Sequence, residues 1–414
     1  MIAEAKAFIQ KLLSPPDPEQ CTRCGGWNTK KNGTRPIKLK DLSGVREARH
    51  QNHYCHDCQK PYYVPNGLRG KWWHYTRPVR RKTLDMYVHL GGSWRRVAGW
   101  IRSEINQAER WQIWHLFCQP QPGKRLQVFL SHSTCWRWSQ EAGHRQRAKK
   151  NVYGDVPQSG ALVGDSTGVP VRQESHSLLA VADPIKRVLF SLKRFVIEDE
   201  VGVEAHMRHL QDLGVQIERV WGFLSDGAKA FKRMLETVLA RARHLRCIFH
   251  LWRNILPFIA TYKAKVGEEA AKAFREAVKA VWNASELWVA QQRLYALVAQ
   301  WYAEEILRPA IHIVLFTFDE AMAHLRYAST GVGRTVNLLE WLWHRYKWRL
   351  GPLQCFMSEA GCDNFNALWE VYYNWEPAQK RKEKKKHYAY PGQSPLEVAG
   401  CAVSGLSWLD AVGV

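Results

Sequence analysis

Acidic residues are in short supply in this chain. Only 38 Asp and Glu stand against 60 Lys and Arg in 414 residues, a formal net charge of +22. A surface field of that sign draws in polyanions and speeds their association, while saying nothing about the fold. Long apolar runs are missing too. Nothing approaches the ~18 uninterrupted apolar residues that a membrane-crossing helix requires. The start, MIAEAKAFIQKLLSPPDPEQ, is too charged to read as a secretory signal. Neither membrane insertion nor export is therefore expected. Disorder is excluded from the other side: hydrophobic residues make up 46% of the chain and 20 are Trp. The length allows two to four folded units.

A disulfide framework is also lacking. Of ten cysteines, Cys118, Cys135, Cys247, Cys355, Cys362 and Cys401 are scattered, and only four are paired closely, as Cys21/Cys24 and Cys55/Cys58. Two CxxC knuckles 30 residues apart place four thiolates where one Zn²⁺ can take them tetrahedrally. Residues 1–75 are accordingly expected to form a zinc ribbon holding one structural Zn²⁺. His50, His53 and His56 lie close by; one could replace a thiolate, and the simpler reading makes them surface or phosphate-contacting residues.

Basic and aromatic residues then interleave in RGKWWHYTRPVRRK (69–82), either as a phosphate-contacting surface or as a linker whose aromatics bury. Two short helical patterns flank Gly91-Gly92, with Ser93 placed to cap the second, and predict a helix-turn-helix unit. Arg95 and Arg96 start its second helix. A further candidate pairs QIWHLFCQ with HSTCWRWSQEAG, where Ser133 and Thr134 are expected to cap a helix bearing Arg137. Residues 76–150 are read as this helix-turn-helix region. It closes on HRQRAKK, where Arg145, Lys149 and Lys150 are candidate DNA contacts.

From about Gly160 the pattern alternates strand and helix. ALVGD, LLAVAD, RVLFSLKRF, IERVWGFLSD and LRCIFH read as strands, and EVGVEAHMRHLQDLG and GAKAFKRMLETVLARA as helices. The expectation is an α/β layer with a mixed sheet over 151–262. An all-helical insertion follows over 263–330, the last part of the core over 331–376, and a basic tail over 377–414. Within this body three carboxylates stand out. Asp165 falls near the end of the first strand, Asp226 ends the fourth, and Glu340 lies in the helical VNLLEWLWHRYKW. Strand-end aspartates and a helical glutamate, brought together, can hold two divalent cations against a phosphodiester. Their hard oxygens suit Mg²⁺ or Mn²⁺. Asp183, Asp199 and Asp212 sit in similar positions but read as solvated carboxylates. In the insertion, Trp282, Trp288 and Trp301 read as core, with the alternative that one of them stacks on an unpaired base. In the tail, Lys380, Arg381, Lys384, Lys385 and Lys386 belong to KRKEKKKH, expected to follow a DNA backbone.

DSTGV at Asp165, DGAKAF at Asp226, CIFHLWRN with its Cys247-x-x-His250, and TVNLLE ending at Glu340 occur in order. Together with the YYNW…SPLEVAG tail, they resemble a DDE-type, RNase H-like insertion-sequence transposase of the Mutator-like group. That resemblance covers most of the chain. It implies a transposase that binds the ends of its mobile element, cleaves by a two-metal mechanism and transfers the 3′-OH strand into target DNA. Asp165, Asp226 and Glu340 would hold two Mg²⁺ or Mn²⁺ ions, with His250 organising the site or contacting phosphate and Cys247 packing beneath it. The resemblance also implies double-stranded DNA as partner, at least a homodimer on it, and a cytoplasmic, nucleoid-associated place in a prokaryotic cell. The alternatives are a catalytically inactive or cleavage-only DNA-binding relative, or an RNA-binding protein.

Overall fold

The computed structural model describes residues 20–21, 23–62, 75–90, 93–116, 130–351, 353–377, 392–403 and 405–413. The basic tail cluster Lys380, Arg381, Lys384, Lys385 and Lys386 lies outside them.

The first described segment is a three-stranded antiparallel sheet. Strands β1 (Thr29–Asp41) and β2 (Gly44–Cys55) form a long hairpin, and β3 (Lys60–Tyr62) returns along the end of β2. The two CxxC turns thus sit at the same end of the sheet, one before β1 and one between β2 and β3.

Three helices follow: α1 (Arg77–Leu90), α2 (Trp94–Leu116) and α3 (His132–Arg147). Ser93 does cap α2, its Oγ accepting from the N–H of Arg96. Two expectations are corrected here. QIWHL is no separate helix but the last turns of α2, which nothing in its sequence interrupts. The cap of α3 is Ser131, whose Oγ accepts from the N–H of Thr134 at 3.1 Å, so Ser133 and Thr134 already lie within the helix.

The main sheet has five strands in the order β6-β5-β4-β7-β8. Here β4 is Ala161–Val171, β5 Glu174–Ala182, β6 Leu189–Phe195, β7 Gly222–Ser225 and β8 Arg243–Arg246. The first three pair antiparallel, whereas β7 and β8 run parallel to β4. The parallel steps need crossovers, supplied by α4 (Glu200–Asp212) before β7 and α5 (Lys229–Thr237) before β8. Both faces are buried, so the strands read as continuous apolar runs rather than alternating ones. Period two still sorts the side chains. Leu162, Leu179, Val181, Phe190 and Phe223 pack under α4 and α5, while Ala161, Val163, Leu178, Ala180 and Leu224 face the opposite layer. That layer is built from α1–α3, α11 (Asn337–Leu350) and α12 (Glu359–Trp375), with the short α14 (Trp408–Ala411) at its rim. A further short helix, α13 (Pro395–Ala399), closes the α4/α5 side.

Between β8 and α11 the chain is helical. Helices α6 (Ile248–Val266), α7 (Glu268–Trp282), α8 (Leu287–Trp301), α9 (Arg308–Phe316) and α10 (Phe318–Arg326) share a core of their own. Their packing begins with Leu251 on α6, so the helical unit starts at Ile248 rather than at 263. Trp282 and Trp301 are buried in it. Trp288 is 55% exposed and donates to Glu286, which removes it from the core where sequence placed it.

Candidate active site

Asp165 lies mid-strand in β4, not near its end, because the strand runs on through Ser166–Val171 as one arm of a hairpin with β5. Its parity follows Ala161 and Val163, so its side chain faces the α11 layer. The neighbouring β7 pairs Val163 with Leu224. Carried two residues on, the same parallel register puts Asp226 beside Asp165, on the same face as Leu224. Two carboxylates 61 positions apart are thereby brought to one side of one sheet.

The local turn fixes Asp226. Its Oδ1 accepts from the N–H of Ala228 at 2.9 Å, and the N–H of Gly227 donates to Ser225 Oγ at 3.1 Å. Gly227 adopts φ +76°, and a Cβ there would fall 1.0 Å from Nη1 of Arg246. Both the left-handed backbone and the arginine laid against it require glycine.

Asp165 is 7% exposed, and its Oδ2 accepts a hydrogen bond from the indole N–H of Trp343 at 2.9 Å. Burial raises its carboxyl to about 6, against the Trp343 hydrogen bond and the nearby His250, which lower it; the charge of Asp226 adds to the rise. Trp343 sits one turn after Glu340 in α11. Glu340 itself is in the first turn of that helix and lies near the buried thiol of Cys247, which its charge, after burial, helps to raise. His250 is in the first turn of α6, its Nδ1 buried without a hydrogen-bond partner.

Glu340 and His250 reach the sheet through a shared neck. Cys247 is the N-cap residue of α6, and its Sγ accepts from the N–H of Val336 at 3.5 Å. The N–H of Ile248 donates to the carbonyl of Arg334 at 3.1 Å. The helical unit therefore enters and leaves the sheet at adjacent residues, and α11 starts where α6 starts. Asp226 and His250 both lie close enough to act electrostatically on Asp165, and Trp343 ties Glu340's helix to Asp165. The three carboxylates do not close into a tight cage: among the described residues, the four cysteines are the one group of three or more metal-binding side chains whose ligand atoms all lie within 4.8 Å.

The oxygen donors nevertheless fit hard divalent cations. A buried carboxyl pushed up by burial and by a neighbouring carboxylate is relieved by a cation. A cleft of about 670 Å³ on the α4/α5 side is lined by Asp226, Ser166, Lys229, Phe231 and the Glu198–Val201 segment, so Asp226 but not Asp165 borders it. The N-terminal thiols fit a different ion. Sγ of Cys21 and Cys58 are 3.8 Å apart and those of Cys24 and Cys55 3.7 Å apart. A Zn–S bond of about 2.3 Å gives a tetrahedral edge of about 3.8 Å.

The predicted DNA contacts divide. Arg95, Arg96, Arg137 and Lys150 are exposed. Arg145 is exposed as well but donates to the carbonyl of Val412 at 3.4 Å, and the half-buried Lys149 donates to that of Ala411 at 2.8 Å, so both help to hold α14 in place. In the aromatic-basic run, Arg80 is fully buried and reaches Glu141, Arg81 pairs with Asp410, and Lys82 pairs with Glu104. The described end of that run is packing, not a phosphate surface. Trp343 escaped the sequence reading; its spacing of three from Glu340 was the available sign.

Residues 160–372, just over half of the chain, match the family described as "Transposase, Mutator family". No curated protein matches the chain in sequence. It is similar to a solved structure of the HTLV-2 integrase catalytic core domain in complex with magnesium, in its dimeric form. There the identity is 16% and the TM-score 0.19, over 28% of this chain and 83% of that one. A likeness at that level says nothing about the chemistry of this chain.

Proposed function

The chain belongs to the Mutator family of transposases, with its DDE-type, RNase H-like core, and on that premise we propose that it cleaves DNA at the ends of a mobile element and joins the freed strands to target DNA. The observation that carries this reading is the β4–β7 register, which sets Asp165 beside Asp226 under the helix that bears Glu340. Asp165, Asp226 and Glu340 would hold two Mg²⁺ or Mn²⁺ ions. Bound there, the ions would acidify the attacking water or 3′-hydroxyl and stabilise the leaving oxygen of an in-line displacement.

The chain's own groups prepare that site. Trp343 fixes one oxygen of Asp165 and favours its ionised form. The Ala228 N–H does the same for one oxygen of Asp226. His250, whose buried Nδ1 has no hydrogen-bond partner and whose charge acts on Asp165, would orient the scissile phosphate or the carboxylates. The four-cysteine sheet (1–75) is read as a zinc ribbon with one structural Zn²⁺, and α1–α3 (76–150) as a helix-turn-helix region. Arg95, Arg96, Arg137 and Lys150 would meet phosphates there, together with the basic tail. The core (151–247 and 331–376) and the helical insertion that begins at Ile248 complete the enzyme, and pairing two element ends calls for at least two copies on double-stranded DNA.

The test is a cleavage and strand-transfer assay on the DNA flanking the gene, in Mg²⁺ or Mn²⁺, with D165A, D226A, E340A and H250A. Metal-dependent nicking with joined products, abolished in the three carboxylate variants, is the expected result. Nicking without joining would make the chain a nuclease. Binding without nicking in any metal would make it a DNA-binding relative and remove the triad assignment.

A further inference from the structure

On the face of the sheet opposite the aspartates, three side chains from three elements form a line ending at the Asp226 turn. Ser225 Oγ is 3.0 Å from Nε2 of His244 on β8, and His244 Nδ1 is 3.3 Å from Oε2 of Glu320 on α10. The same Ser225 Oγ accepts the N–H of Gly227, the residue after Asp226. Ser225 is fully buried, so the line is no hydrolase triad: no substrate carbonyl reaches that hydroxyl. We infer that Ser225, His244 and Glu320 are positioning residues that hold the Asp226 turn from behind the sheet and so set that carboxylate's grip on a divalent cation. The inference rests on the metal-binding reading of Asp226 given above.

Donors and acceptors along the line permit one arrangement with a neutral imidazole. Glu320 faces Nδ1 at 3.3 Å as a charge contact rather than a hydrogen bond, which favours the imidazole proton on Nδ1 and leaves Nε2 as an acceptor. Nε2 then receives the Ser225 hydroxyl proton, and the oxygen lone pairs of Ser225 face the Gly227 N–H. Glu320 is kept ionised: the His244 contact lowers its carboxyl, outweighing burial, and Lys232 and Arg246 add to this. Arg246 also lies over Gly227, with Nε and Nη1 buried and unpartnered. The turn is thus fixed by its own backbone, by a hydroxyl from beneath and by a guanidinium alongside. Because α10 closes the helical unit, the packing of that unit is coupled to the site through Glu320. Outer partners that orient a metal ligand are worth about 10–100-fold in metal affinity.

The experiment uses the full-length, zinc-loaded chain and titrates Mn²⁺ without DNA, reading free Mn²⁺ by electron paramagnetic resonance, for wild type, D226N, H244Q, E320A and E320Q. Affinity is expected to fall about tenfold in H244Q and E320A, less in E320Q, and furthest in D226N. The Mn²⁺ needed for half-maximal nicking should rise in parallel, while the rate at saturating Mn²⁺ stays within about twofold except in D226N. A purely structural role would lower the melting temperature without moving the titration. Should H244Q fail to fold, E320A still decides, because the Glu320 side chain is 34% exposed and its loss opens no cavity in the sheet. Wild-type titrations in both E320A and H244Q, beside a weakened D226N, would overturn this inference alone. A wild-type titration in D226N would overturn the metal-site reading, and this inference with it.

Discussion

The indole N–H of Trp343 ends 2.9 Å from Oδ2 of Asp165, a hydrogen bond between residues 178 positions apart that pins α11 to the middle strand of the sheet. It fixes the orientation of a carboxylate that burial would otherwise push further toward its neutral form. W343F keeps most of the ring's packing and deletes the donor. A hydrogen bond to a charged group is worth about 1.5–3 kcal/mol. Single-turnover nicking by W343F should therefore fall by roughly tenfold or more, with a melting temperature close to that of wild type. An unchanged rate would show that the indole only packs.

The separation of exposed from tethered cations leads to a second expectation. R95A/R96A should weaken DNA binding and flatten its dependence on log salt by about 2, since each phosphate contact contributes about 0.9. K149A should leave that slope unchanged and instead loosen α14, whose Ala411 carbonyl keeps only the longer bond from Gln146. Fluorescence anisotropy across a salt series separates the two outcomes, and a reduced slope in K149A would contradict the assignment.

Glu370 sets a pH dependence of stability. The Tyr153 hydroxyl lies 2.5 Å from Glu370 Oε1 and 3.0 Å from the Leu189 carbonyl, with one proton for two acceptors. A protonated Glu370 supplies the second proton and satisfies both. Burial raises this carboxyl to about 8, against the hydrogen bonds from Tyr153 and the Leu192 N–H. An acid whose pKa is raised on folding binds more protons in the native state, so its share of stability is lost as pH climbs from about 4.5 to about 8. The loss is on the order of 4 kcal/mol across that window, at about 1.4 kcal/mol per unit. E370Q, which can donate to Tyr153 and accept from Leu192, should remove that component. Urea melts at pH 5 and pH 8 would converge for E370Q and diverge for wild type.

The cysteine cluster should bind one zinc per chain. Removing zinc, or replacing Cys55 by serine, is expected to unfold the three-stranded sheet, whose described apolar core is little more than Cys21, Cys55 and Tyr62. Metal analysis and limited proteolysis near residue 40 test this. A C55S chain that resists protease like wild type would count against a structural zinc.

Much of the core was legible because its signals are local. Asp165 and Asp226 follow apolar runs, and period two then places both on one face. The continuation of β4 past Asp165 carries Gly168 and Pro170, both poor strand formers, yet the strand is held there by β5 and by the Phe356 N–H donated to the Pro170 carbonyl. Caps are set by backbone geometry, so Ser131, Ser133 and Thr134 could not be ranked by composition alone. Charge told least. Arg80 and Lys149 look like their exposed neighbours in sequence, and only packing against Glu141 and α14 separates them. Glu340 was legible as a helical acid, but the neck that returns its helix to the sheet joins Cys247 to Val336 and has no local signature.

That neck makes the span from Ile248 to Arg334 an appendix to the sheet. Its two ends coincide, so the stretch between His250 on α6 and Glu320 on α10 can change in length without altering where the chain leaves and rejoins the sheet. A chain built this way can shorten or enlarge the middle of its helical unit in a single splice, provided those two residues stay where they are against the sheet.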